Sequence, residues 1–236
     1  HALRRAAREE GRAGLSDHQP TSPAPLGLGW LPFAPARQPA SALPAPLGVC
    51  LVSGGCGFLG AHIVRMLAEL ASVRAVHIVD IQPPTRPSLP RGADGRFPPH
   101  VKMHEGSVAD RAFLERVMRD VRPDTIVHVA SLIDLRPGAA SSLANQRVNV
   151  DATCSLLELA SEVGSSRLVY TSSLECAYHD NSCVDAAEDT MPYHAHPTNP
   201  YQRTKIAAER AVLGASASSV ADGSVKGGGG GGGGGG

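Results

Sequence analysis

VSGGCGFLGAH, residues 52–62, decides the fold. It follows the apolar run VCLVS (49–53) and leads into a segment with helical spacing. Gly54, Gly57 and Gly60 make a G-x-x-G-x-x-G pattern between the two. A turn this tight needs positive φ, which glycine adopts with the least strain. Without side chains the backbone can approach a pyrophosphate, and the helix behind offers free N–H groups and the positive end of its dipole. Glycine-rich turns between strand and helix are common, so context matters. Here an acid, Asp80, ends the next strand twenty positions after Gly60. No G-K-[ST] follows the loop, which argues against a triphosphate P-loop. A dinucleotide-binding turn is expected, a merely structural turn being the alternative.

Outward from this turn, short apolar runs alternate with helical periods. Ile63, Met66, Leu67 and Leu70 are spaced as one helix face. RAVHIVD (74–80) reads as a second strand, the Pro-rich stretch 83–99 as a loop and VKMHEG (101–106) as a third strand. Asp110 is placed to cap a helix that buries Leu114, Val117, Met118 and Val121 and stops at Pro123. TIVHVA (125–130) is a fourth strand, VNVDATCSLLELASEV a helix ended by Gly164, and RLVYTSS (167–173) a fifth strand. The last helix is expected from Pro200 to Gly214, with Ile206 and Leu213 on one side. Strands alternating with helices imply an α/β fold with a doubly wound parallel sheet of order 3-2-1-4-5, a dinucleotide-binding (Rossmann) fold. Ligands then bind at the carboxyl ends of the strands: Ser53–Gly60, Asp80, Ala130–Ser131 and Thr171–Ser173.

The 236 residues suffice for one domain with some to spare. Basic and acidic side chains balance at 22 each, so no nucleic-acid partner is expected. No run approaches the ~18 apolar residues of a membrane span. Cys50, Cys56, Cys154, Cys176 and Cys183 are odd in number and scattered, which speaks against a disulfide framework and for a reducing, cytoplasmic setting. Residues 1–47 are Pro- and Ala-rich and expected to be disordered; residues 48–214 form the folded domain, and 215–236 a low-complexity polyglycine tail. Because the first residue is His1, a fragment or processed chain is expected.

Asp80 also bears on the choice of cofactor. A carboxylate accepts hydrogen bonds from both ribose hydroxyls and repels a 2′-phosphate, and no basic residue follows at once (Ile81, Gln82, Pro83). NAD is expected over NADP. Tyr201 and Lys205 are four apart and share a helix face. A free phenol has a pKa near ~10, and a neighbouring ammonium lowers it. Ser173, on the facing strand end, would steady a substrate oxygen. The expected chemistry is hydride transfer between a secondary alcohol and NAD, with Tyr201 moving the proton. Y-x-x-x-K alone is weak; its weight comes from following the glycine turn and the serine-bearing strand in that order.

SGGCGFLG, HVAS, RVNVDAT, RLVYTSSLE and PYQRTKIAAERAVLGA together resemble the extended short-chain dehydrogenases/reductases. More narrowly, GGCGFLG, VYTSSLE and TKIAAERAVLGA are similar to the 3β-hydroxysteroid dehydrogenase/isomerase family, which includes the decarboxylating sterol-4α-carboxylate 3-dehydrogenases. The resemblance covers about residues 48–214. It implies Ser173, Tyr201 and Lys205 as catalytic residues, with Gly54, Gly57, Phe58, Leu59, Gly60 and Asp80 as cofactor contacts, joined by Tyr201 and Lys205. It implies NAD as cofactor, a steroid- or sterol-like substrate, and Asn149 as a tie between helix and strand. Ser107 stands where the family has Asp, which leaves a backbone contact from Val108 at the adenine. The family continues beyond the Tyr201/Lys205 helix with a substrate-binding region, which is expected to be missing here. Association with the endoplasmic reticulum membrane is an expectation for a full-length parent only.

Other residues have plainer readings. Cys176, His179 and Cys183 form C-x₂-H-x₃-C, with His194 and His196 nearby, yet a structural zinc needs four ligands at established spacings, and no metal is expected. Cys56 reads as a small residue filling the turn rather than a reactive thiol, and His128 as a satisfied core histidine. Two other functions stay open. One is a nucleotide-sugar epimerase or dehydratase using the same Ser/Tyr/Lys set; the other is a catalytically silent NAD-binding module. Nothing in the sequence fixes the oligomeric state.

Overall fold

The computed structural model describes residues 46–177 and 191–222, so the Pro/Ala-rich residues 1–45 and the polyglycine stretch lie outside the described residues. Five strands form one parallel sheet: β1 (Gly48–Ser53), β2 (Val73–Asp80), β3 (Val101–Glu105), β4 (Thr125–His128) and β5 (Arg167–Tyr170). Their order is β3-β2-β1-β4-β5, as the alternation predicts. Every residue of the central β1 is buried, as expected of a strand covered on both faces. Its side chains alternate: Cys50 and Val52 join Val76 and Ile78 on one face, and Leu51 joins Val79 and Ile126 on the other.

The helices are α1 (Phe58–Glu69), α2 (Arg111–Val121), α3 (Ala139–Asn145), α4 (Ala152–Val163) and α5 (Pro200–Asp222). Ala61, Val64 and Leu67 of α1 cover the first face. Leu114, Val117 and Met118 of α2, with Leu156 and Leu159 of α4, cover the second. Asp110 caps α2, its Oδ1 accepting from the Phe113 amide at 3.0 Å. Gly164 ends α4 in the left-handed region at φ 77°. Pro200 takes the first position of α5, and Asn199 Oδ1 accepts from the Gln202 amide at 2.7 Å as its N-terminal cap.

Two helix faces differ from expectation. In α1 the buried positions are Gly60, Ala61, Val64 and Leu67, whereas Met66 and Leu70 are exposed. Small residues let this helix lie close to the sheet, so the largest side chains do not mark its inner face. In α5, Ile206 is buried but Leu213 is exposed, and the helix continues past Gly214 to Asp222. The run ASASS is permissive enough to extend it, and Gly214 sits within the helix rather than ending it.

The register sets Val79, Ser53, His128 and Tyr170 level across the sheet. The residues that follow them, Asp80, Gly54, Val129 and Thr171, therefore emerge along one edge. β1 and β4 are neighbours at the switch point, where the chain turns from one side of β1 to the other.

Candidate active site

The glycine turn is built differently at each glycine. Gly54 alone has positive φ, 70°, and a Cβ there would lie 2.7 Å from the Ala130 amide nitrogen. Gly57 has φ −68°, open to any residue, so the expectation of a left-handed turn holds at one position only. Gly60 is required by packing: a Cβ would lie 2.1 Å from the Gly54 carbonyl oxygen. The first turn of α1 thus rests directly on the loop. Gly57 is its N-terminal cap residue and no side chain caps this end, which leaves first-turn amides available to an anion.

Asp80 holds this turn in place. Its Oδ2 accepts from the Cys56 amide at 2.8 Å and its Oδ1 from the Gln82 amide at 2.9 Å. Each carboxylate oxygen keeps a second lone pair, so both can still accept from ribose hydroxyls. Cys56 is buried, and burial followed by the nearby Asp80 pushes its thiol pKa up to about 11. It is a filler of the turn rather than a nucleophile. Arg86, from the Pro-rich loop, donates Nε–H to the Cys56 carbonyl at 3.1 Å.

Gly54, Gly57, Phe58, Leu59, Gly60 and Asp80 line one cleft of about 340 Å³. Its far walls are Gly106, Ser107 and Val108 after β3, and Val129–Leu132 after β4. Ser107 caps its own turn by accepting from the Ala109 amide at 3.1 Å, and Val108 stands beside it in the wall. The cradle fits a dinucleotide: a groove floored by backbone where Cβ atoms are excluded, an uncapped helix end for phosphates and an acid for the ribose. These six residues line the groove that would receive NAD.

Behind the cleft lies a buried polar chain. Thr153 donates to the Asn149 carbonyl at 2.7 Å and therefore accepts from His128 Nε2 at 3.0 Å. His128 Nδ1 then accepts from Ser53 Oγ at 2.5 Å, and Ser53 Oγ accepts from the Val129 and Ala130 amides. His128 is the satisfied core histidine expected. Burial, then the charge of Lys205, brings its pKa down to about 4. Unfolded, it takes a proton near pH ~6.5. Between these values the unfolded chain binds more protons, so stability falls as pH drops from 6.5 to 4 and this loss is complete below 4. His128 alone accounts for about 3 kcal/mol. His77, half-buried and stacked on His104, is also lowered to about 4 and acts in the same direction. Urea midpoints measured from pH 7 to pH 5, above the usual carboxylate range, should decline; a flat profile would contradict a neutral buried His128.

Asn149 sits in a π-helical turn, Gln146–Asp151, that joins α3 to α4. Its Nδ2 donates to the Leu132 carbonyl at 2.9 Å and to Thr204 Oγ1 of α5 at 3.1 Å. Its Oδ1 accepts from the Leu132 amide at 2.7 Å and from Ser131 Oγ at 3.1 Å. The side chain ties the helix to the segment leaving β4, as the resemblance implies, and also to α5.

Tyr201 and Lys205 share a face of α5, one turn apart, and both are buried. Lys205 Nζ donates to the Thr171 carbonyl, just past β5, at 2.6 Å and lies 4.2 Å from the Tyr170 ring centroid. Burial brings its pKa down to about 8, against the upward pull of Cys176 and Glu209. An ammonium has three N–H groups, and among the described residues one of them is given to the Thr171 carbonyl. Ser173 Oγ caps the 3-10 turn Leu174–Cys176, accepting from the Glu175 amide at 3.2 Å.

Not everything converges. Ser173 lines a second cavity of about 740 Å³ together with Tyr170, Tyr193 and Glu209. Ser173, Tyr201 and Lys205 do not line the glycine cleft. Of the C-x₂-H-x₃-C residues, from which no metal is expected, His179 and Cys183 lie outside the described residues, and Cys176 faces Ser172 Oγ at 3.5 Å. Sequence reasoning passed over Gln202, Thr204 and Glu209, all on α5 and all bonded to the segments around it. Their positions within PYQRTKIAAER, one to eight residues after Tyr201, are the signal that was available.

Residues 51–226 match the model of the 3-beta hydroxysteroid dehydrogenase/isomerase family. Sterol-4-alpha-carboxylate 3-dehydrogenase, decarboxylating, of Homo sapiens is 35% identical over 71% of this chain and 40% of its own length. 3 beta-hydroxysteroid dehydrogenase type 7 of Mus musculus is 33% identical over 78% and 49%. The chain thus spans half or less of the length of these relatives. Among solved structures, Thermus thermophilus UDP-glucose 4-epimerase in complex with NAD superposes with a TM-score of 0.58 at 26% identity, covering 72% of this chain and 51% of that one. With the glycine cradle, the parallel sheet and a family match across most of its length, the chain belongs to the 3-beta hydroxysteroid dehydrogenase/isomerase family.

Proposed function

We propose that this chain binds NAD in the glycine cleft and serves an oxidoreductase that oxidises the 3β-hydroxyl of a steroid or sterol. The observation that carries the reading is the Tyr201/Lys205 pair, buried one turn apart and pinned to the carboxyl end of β5. NAD, when bound, supplies the hydride acceptor. Tyr201 takes the proton from the substrate hydroxyl, and the Lys205 ammonium stabilises the phenolate that makes this possible at neutral pH. Ser173, two residues beyond the carbonyl that anchors Lys205, steadies the substrate oxygen. Asp80 selects NAD by accepting from the ribose hydroxyls and repelling a 2′-phosphate. The partner is a small molecule; the balanced charge gives nucleic acid no attraction. No helix among the described residues is long and apolar enough to cross a membrane.

A second reading, epimerisation of a nucleotide sugar, is supported by the likeness to the Thermus thermophilus epimerase. The test offers NAD with a 3β-hydroxysteroid, or with UDP-glucose, and follows nicotinamide absorbance and sugar identity. Reduction with the steroid alone is expected. Interconversion of UDP-sugars without net reduction would favour the second reading. NAD binding without either reaction would make the chain a silent module.

A further inference from the structure

Glu209 stands on α5 one turn beyond Lys205, and the reaction outlined above gives it no role. Its carboxylate joins two separate segments. Ser172 Oγ, just past β5, donates to Oε2, and the Tyr193 hydroxyl, on the loop before α5, donates to Oε1 at 3.2 Å. Cys176 Sγ is 3.5 Å from the same Ser172 hydroxyl. Arg210 lies over the Tyr193 ring at 4.7 Å and completes the outer side of this cluster. Ser172 directly precedes Ser173, so whatever fixes one fixes the entry to the other.

We infer that Glu209 is a positioning residue: its one carboxylate clamps the Ser172–Ser173 segment past β5, and the segment carrying Tyr193, to the Tyr201/Lys205 helix. This rests on reading Tyr201 and Lys205 as the reacting pair. Alanine at 209 removes both acceptors.

The double variant Ser172→Ala/Tyr193→Phe cuts both bonds and leaves Glu209 in place. Faster amide exchange across residues 171–176 is expected, and unchanged exchange would overturn the clamp. Glu209→Ala should speed the same amides, so the clamp stays testable should the double variant fail to fold. With NAD and a 3β-hydroxysteroid, Glu209→Ala should lower kcat on the order of tenfold while the KM for NAD holds, and an unchanged kcat would overturn the positioning role. A wild type that oxidises no steroid removes the functional reading alone, because the amide exchange still decides on Glu209.

Discussion

Tyr201→Phe is expected to slow oxidation of a 3β-hydroxysteroid by a factor of ~10² to 10⁴, the range a positioned general base contributes. The ring stays, so the packing of this buried residue against α5's surroundings is kept, and only the hydroxyl is lost. NAD affinity and melting temperature should therefore hardly change. Lys205→Met should slow the reaction by a comparable factor through a different cause. It removes the ammonium that favours phenolate and also the bond to the Thr171 carbonyl, so it should lower the melting temperature as well. Steady-state rates beside thermal melts separate the two variants. A Tyr201→Phe protein within tenfold of wild type would mean that the proton travels by another group.

Gly60→Val should be the most damaging change in the cofactor cradle. Its Cβ would meet the Gly54 carbonyl oxygen at 2.1 Å and both Gly54 C and Gly55 Cα at 2.8 Å. All three are backbone atoms and cannot rotate aside, so α1 must lift off the loop. Overpacking of this kind costs about 1–3 kcal/mol. For a chain of this size each kcal/mol lowers the melting temperature by roughly 2–4 °C. The lifted helix end also takes its amides away from the phosphates, so NAD affinity should fall at least on the order of tenfold. Gly57→Ala is the contrast. Its φ of −68° suits alanine, and the nearest atom to an added Cβ is 3.2 Å away, so the ligand-free protein should melt within a few degrees of wild type. Equal melting temperatures for Gly60→Val and wild type would contradict the packing reading of that glycine.

What the sequence made legible was whatever local chemistry decides. The strand order followed from alternating periods, the start of α2 from Asp110, and the end of α4 from a glycine free to take positive φ. Gly54, Gly57, Gly60 and Asp80 are legible as one cleft because a phosphate cradle demands glycine at fixed intervals and an acid one strand away. What stayed hidden depends on contacts between distant segments. The inner face of α1 is marked by Gly60 and Ala61, whose small size permits close approach but carries little hydrophobic signal. The π-helical turn at Gln146–Asp151 is set by what Asn149 reaches, Leu132 and Thr204, and no spacing rule encodes that. Asp80 was read as a ribose ligand, yet it also buckles the glycine turn through the Cys56 amide. Ser173 is legible only as a strand-end serine, and where its hydroxyl points depends on the 3-10 turn that it caps. Glu209 stays illegible in the sequence because a helix glutamate four residues after a lysine usually means only a solvated pair.

The most direct test is a thermal-shift titration of the chain with NAD and with NADP, beside Asp80→Ala. NAD at ~100 times its dissociation constant should add about 2.7 kcal/mol of stability. The reading of the cleft predicts a rise with NAD, little or none with NADP, and loss of the NAD effect in Asp80→Ala. A folded chain whose melting temperature is indifferent to both nucleotides would contradict it.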